Sequence, residues 1–76
     1  MNAITRNPDI LSGKPILSGT RISVEFILEM LASGMTQDAI AHEYHLDPGA
    51  VSAAVAYAAA ELKREDVIDH GELERA

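Results

Sequence analysis

The sequence predicts a mainly α fold, three helices behind a short N-terminal β arm, on three observations. Apolar residues recur at helical spacing from Val24 onward; Ser23, Thr36 and Asp47, all good helix starters, each stand directly before a helical run; and residues 1 to 22 are broken by glycine and proline too often for a helix.

Ala3-Ile4-Thr5-Arg6 has the β-branched content of a short strand, and Asn7-Pro8-Asp9 then turns the chain. Gly13 and Gly19 supply the positive φ of tight turns, while Pro15 fixes its own φ and drives Lys14 away from helix. Ile16-Leu17, held between those turns, is therefore extended and available to pair with residues 3 to 6. Strands this short are marginal alone, so the ribbon either lies on the helices or adds to a copy from another subunit. The second arrangement is preferred.

Ser23 is the expected N-cap of the first helix, with Glu25 at its positive end. Val24, Ile27, Leu28 and Leu31 give the i, i+3, i+4, i+7 stripe, Phe26 and Met30 widen it, and Gly34 closes the helix at C′. Two apolar faces exceed what one small core uses, which argues for a subunit contact. Thr36 caps a short second helix, Gln37 to about Tyr44, with Ala39, Ile40 and Tyr44 inward and Gln37, Asp38, His42 and Glu43 outward. Asp47-Pro48 opens a third, alanine-rich helix through Val51, Ala54, Val55, Ala58 and Leu62 to about Arg64. A brief second helix, a tight link and a longer third suit a helix-turn-helix-like, homeodomain-like unit. The chain thus divides into an arm and turn (1–22), a three-helix domain (23–64) and an acidic tail (65–76) that awaits a partner.

A single domain of 76 residues leaves much of its surface wet, so a homodimer or another partner is expected. Cysteine is absent, which removes disulfides and thiolate metal sites and fits a reducing, cytoplasmic setting. No apolar run reaches membrane-spanning length and no signal-peptide block opens the chain, so membrane association and export are not expected. The net charge of −6 is uneven: Arg6, Lys14 and Arg21 against Asp9 give residues 1 to 22 +2, and the remainder carries −8. Nucleic acid would have to meet the arm, whereas the acidic body suits a basic protein.

Candidate chemistry is thin. Gly13-Lys14 lacks the rest of a phosphate loop, with Pro8 and Pro15 where that motif needs glycine and Ser or Thr. His42 and His45 are spaced to share a face but have no third ligand nearby in sequence, and Glu25 and Glu29 form an ordinary surface pair. No cofactor and no enzymatic activity are expected from so short a chain. Arg21, between a glycine turn and an apolar junction, can fork onto a phosphate, onto a partner's carboxylate, or back onto turn carbonyls as an internal clamp. Tyr57 reads as a core or dimer-interface ring with one wet end, and Ile16, Phe26, Met30 and Val55 are likewise candidates for core or dimer contact. The third helix opens Pro48-Gly49-Ala50-Val51-Ser52-Ala53, with one hydroxyl and no Arg, Lys, Asn or Gln for base edges.

Asn7-Pro8, Ile10-Leu11, Gly13-Lys14-Pro15, Gly19-Thr20-Arg21-Ile22, Val24, Gly34-Met35-Thr36, Ile40, Leu46, Val51 and Ala54 to Ala58 together resemble a small bacterial family, domain of unknown function 433, over about residues 4 to 60. That resemblance implies a helix-turn-helix-like domain with a β arm, found as a dimer. Its members look like antitoxins encoded beside a PIN-like ribonuclease toxin that they bind and silence, with repression of their own operon as a second role. The signature positions Gly13, Lys14, Pro15, Gly19, Thr20, Arg21 and Ile22 bring no established catalytic role. The alanine-heavy third helix departs from a DNA reader and counts against repression through base contacts.

Three expectations follow. The first is an antitoxin whose segment from Glu61 to Arg75 folds onto the nuclease, with Glu65 among its carboxylates and Val67, Ile68 and Leu73 as apolar anchors. The second is a regulator placing Arg6, Lys14 and Arg21 on operator phosphates. The third is a plain dimerisation module.

Overall fold

The computed structural model describes residues 3–65. Strands β1 (Ile4–Arg6) and β2 (Pro15–Leu17) precede helices α1 (Val24–Ala32), α2 (Gln37–Glu43) and α3 (Pro48–Glu65), so the fold is mainly helical with a short two-stranded antiparallel sheet.

Asn7 turns the chain after β1: its Oδ1 accepts from the Asp9 N–H at 2.8 Å and its carbonyl from the Ile10 N–H at 2.9 Å. Leu11, Ser12 and Gly13 then take φ of 50°, 57° and 82° in succession. Only Gly13 was expected there. The two L residues are held left-handed, at about 1–2 kcal/mol each, by a turn in which Gly13 N–H donates to Ile10 O and Lys14 N–H to Leu11 O.

β2 returns antiparallel, with Ile4 opposite Leu17 and Arg6 opposite Pro15. Its other edge is also occupied, by a bridge from Ile16 to Ser23 and by the Leu17 N–H on Ile22 O at 2.8 Å. The open edge of the sheet therefore belongs to β1. β2 lies against α1 and β1 against α3. The ribbon thus lies on the chain's own helices, which cover its inward side chain, Leu17.

Ser23 Oγ caps α1 by accepting from the Phe26 N–H at 2.9 Å, and Val24, Ile27 and Met30 are buried. α1 and α2 end alike. After α1, Gly34 at φ 109° donates its N–H to Leu31 O and Met35 donates to Met30 O. After α2, His45 at φ 57° donates to His42 O and Leu46 to Ala41 O. Both are Schellman closures, one with glycine at the left-handed position and one with histidine.

Thr36 Oγ1 caps α2 through the Ala39 N–H at 3.0 Å. Ile40 and Ala41 face the core, whereas Ala39 and Tyr44, expected inward, are exposed. Alanine has too little apolar surface to set the rotation of a two-turn helix; Ile40 sets it, and the closure draws Ala41 beneath Leu46. Asp47 starts α3, its Oδ1 accepting from the Gly49 N–H at 2.8 Å. Val51 and Ala54 are fully buried, but Leu62 is 67% exposed because the core that α3 covers reaches only to Ala58.

Leu17, Ile27, Ile40 and Val51 are the largest fully buried side chains, one from each of β2, α1, α2 and α3. Every element but β1 thus adds one branched aliphatic to a shared centre. Among the described residues no buried side-chain polar atom lacks a partner, and no helix is long and apolar enough to cross a membrane.

Candidate functional site

The turn from β2 into α1 is built by Thr20. Gly19 adopts φ 79°, which lets the chain reverse, and Thr20 returns its N–H to Leu17 O at 3.0 Å and its hydroxyl to the same carbonyl at 2.8 Å. The hydroxyl oxygen in turn accepts from the Ile22 N–H at 2.9 Å. One side chain thereby fixes the outgoing strand, the turn and the approach to Ser23. A threonine three residues after a strand end is the local sequence signal for such a turn.

Arg21 is not an internal clamp. It is exposed and has no hydrogen bond or ion pair among the described residues, because Thr20 already takes the turn carbonyl that a clamp would need. Its place is the rim of a shallow hollow of about 430 Å³ lined also by Thr5, Asn7, Ile10, Ile16, Gly19 and Thr20. Ile16 forms the floor: it is buried, yet it points away from the helices because neighbouring strand residues alternate faces and Leu17 takes the core side.

The other two arm cations are engaged. Arg6 donates from Nη2 to the Tyr57 hydroxyl at 2.9 Å and from Nε at 3.3 Å, tying β1 to α3 across 51 residues of sequence. The hydrogen bond to Tyr57 and the charge interaction with it, and more weakly Glu61, raise the pKa of Arg6 above its ordinary value. Lys14 Nζ lies 2.9 Å from Glu25 Oε1, an exposed pair of small energetic weight. Arg6, Lys14 and Arg21 thus do not form one free basic stripe.

Of the candidates for core or dimer contact, Met30 is buried and Val55 and Tyr57 are half-buried. Phe26 is 38% exposed and meets the ring of Tyr44 edge to face, with centroids 5.7 Å apart. That ring pair was not legible, since Tyr44 was placed inward. His42 and His45 do not share a helix face, because His45 lies past the end of α2 in left-handed backbone. No group of three potential metal ligands is assembled among the described residues. Glu65 is the last residue of α3, and Val67, Ile68 and Leu73 lie outside the described residues.

A family model described as protein of unknown function (DUF433) matches residues 4–58, from the start of β1 well into α3. The chain belongs to that family. The match takes in the Thr20 turn, the hollow below Arg21 and the whole of the core, and it stops short of the exposed Leu62 and the end of α3. No curated protein and no solved structure matches the chain.

Proposed function

We propose that the chain is the antitoxin of a type II toxin–antitoxin pair, a non-enzymatic cytoplasmic protein that acts as a homodimer and silences a PIN-like ribonuclease by binding it. One observation carries this: from Ser23 to Ala60 the chain holds Glu25, Glu29, Asp38, Glu43 and Asp47, all exposed, and neither lysine nor arginine. A body of that sign repels RNA phosphates and attracts the basic channel through which a ribonuclease takes its substrate.

The pair α2 and α3 serves in this reading as a helix-turn-helix-like, homeodomain-like packing scaffold. The one hydroxyl at the start of α3, on Ser52, is already donated to Gln37 Oε1 at 2.9 Å, which leaves little for base edges. A second copy has the open edge of β1 to pair with. Residues 65–76 extend the contact to the nuclease through Glu65, Val67, Ile68 and Leu73. Deleting those residues is expected to leave the dimer intact and abolish rescue of growth from the co-expressed nuclease; a truncated protein that still rescues would refute this role for the tail.

A second role, operator binding, is favoured only by the free guanidinium of Arg21 beside Thr5 and Asn7. Phosphate contact predicts a log–log salt slope of about −0.9 per phosphate neutralised, so Arg21→Ala should flatten it by about one unit. Absence of any gel shift on the protein's own promoter at low salt removes this role.

A further inference from the structure

Phe26 and Tyr44 are the two aromatic rings left in solvent among the described residues, 38% and 37% exposed, with planes at 82°. The core closes without either. Each fixes the other's orientation by edge-to-face contact, so the pair presents a rigid apolar surface at little entropic cost on binding.

The chain around the rings is anionic. Glu29 lies one helical turn after Phe26, close to it on the surface of α1, while Glu25 and Glu43 are the sequence neighbours of Phe26 and Tyr44; all three are exposed. Lys14 meets Glu25, while Glu29 and Glu43 have no ion pair among the described residues. Rings attract cations over their faces, and a carboxylate accepts the guanidinium fork.

We propose that the Phe26–Tyr44 surface docks a cationic protein segment, seating an arginine or lysine against the rings with its charge met by Glu29 and Glu43. A second copy is the poorer occupant. The two rings leave roughly 150 Å² in all, far below the ~800 Å² per partner of a stable interface, and self-pairing would set Glu25, Glu29 and Glu43 against themselves. The inference rests on the reading that this protein works by binding a protein, but it needs neither the nuclease nor the tail.

The test is an amide NMR titration of the full chain with a deca-arginine peptide, repeated for Phe26→Ser/Tyr44→Ser, which keeps net charge unchanged, and for Glu29→Lys/Glu43→Lys, which keeps the rings. Saturable shifts centred on Phe26, Glu29, Glu43 and Tyr44, with affinity at least tenfold lower in both double variants, are expected. The charge variant alters only exposed side chains and keeps the test decisive if the ring variant unfolds. Shifts spread over all carboxylates, or unchanged affinity without the rings, would overturn the proposal. So would sedimentation showing that the ring substitutions convert a dimer to monomers, since a second copy would then own the surface. Failure of peptide binding cannot be mistaken for failure of the antitoxin reading, because no nuclease is in the titration.

Discussion

Replacing Thr20 by valine deletes one hydroxyl and keeps the β-branched shape, so it isolates the turn that joins the ribbon to α1. The hydroxyl donates to Leu17 O at 2.8 Å and accepts from the Ile22 N–H at 2.9 Å, and both bonds are part-buried. Two such bonds are worth about 1 kcal/mol each, and the stranded Ile22 N–H adds part of a desolvation penalty, so Thr20→Val should cost roughly 2–3 kcal/mol. A domain of this size has only about 4–11 kcal/mol in total. The thermal midpoint should fall by on the order of 10–20 °C. Urea melts at one common protein concentration, which holds association fixed between variants, supply the measurement, with Thr20→Ser as the control that keeps both bonds. A valine variant within about 0.5 kcal/mol of the parent would mean that the hydroxyl does not hold the turn.

The two Schellman closures predict changes of opposite sign at equivalent positions. Gly34→Ala forces a side chain into φ 109° and should destabilise by about 1 kcal/mol or more, while His45→Gly relieves φ 57° and should stabilise by up to about 1 kcal/mol; matched signs in denaturant melts would contradict the shared geometry. Ile27→Ala empties a site with 0% exposure at the centre of the core and should cost about 2–5 kcal/mol, whereas an unchanged midpoint would displace that centre. Lys14→Ala removes an exposed pair and should shift stability by less than about 1 kcal/mol, which calorimetry at low and high salt can bound.

What the sequence made legible was local. Ser23, Thr36 and Asp47 cap their helices because each oxygen needs only an amide two or three residues away, and Gly13, Gly19 and Gly34 take positive φ where the turns require it. The left-handed Leu11, Ser12 and His45 were hidden, since nothing in those side chains asks for that backbone and only the surrounding closure imposes it. The rotation of α2, the exposure of Leu62 and the Arg6–Tyr57 contact depend on what lies across the core, which spacing along one helix does not encode. For the candidate site, the signature around Gly19-Thr20-Arg21 is legible in the sequence, but the part of Thr20 in holding the turn is not, and of the three alternatives for Arg21 the internal clamp is the one the structure removes.

The most direct test of the account measures RNA cleavage by a purified PIN-like ribonuclease, the partner proposed above, with and without the full chain. The account predicts stoichiometric inhibition near equal molar amounts, weakening as salt screens the acidic body from the basic channel. Cleavage that continues unchanged at a tenfold excess of the protein in low salt would contradict it.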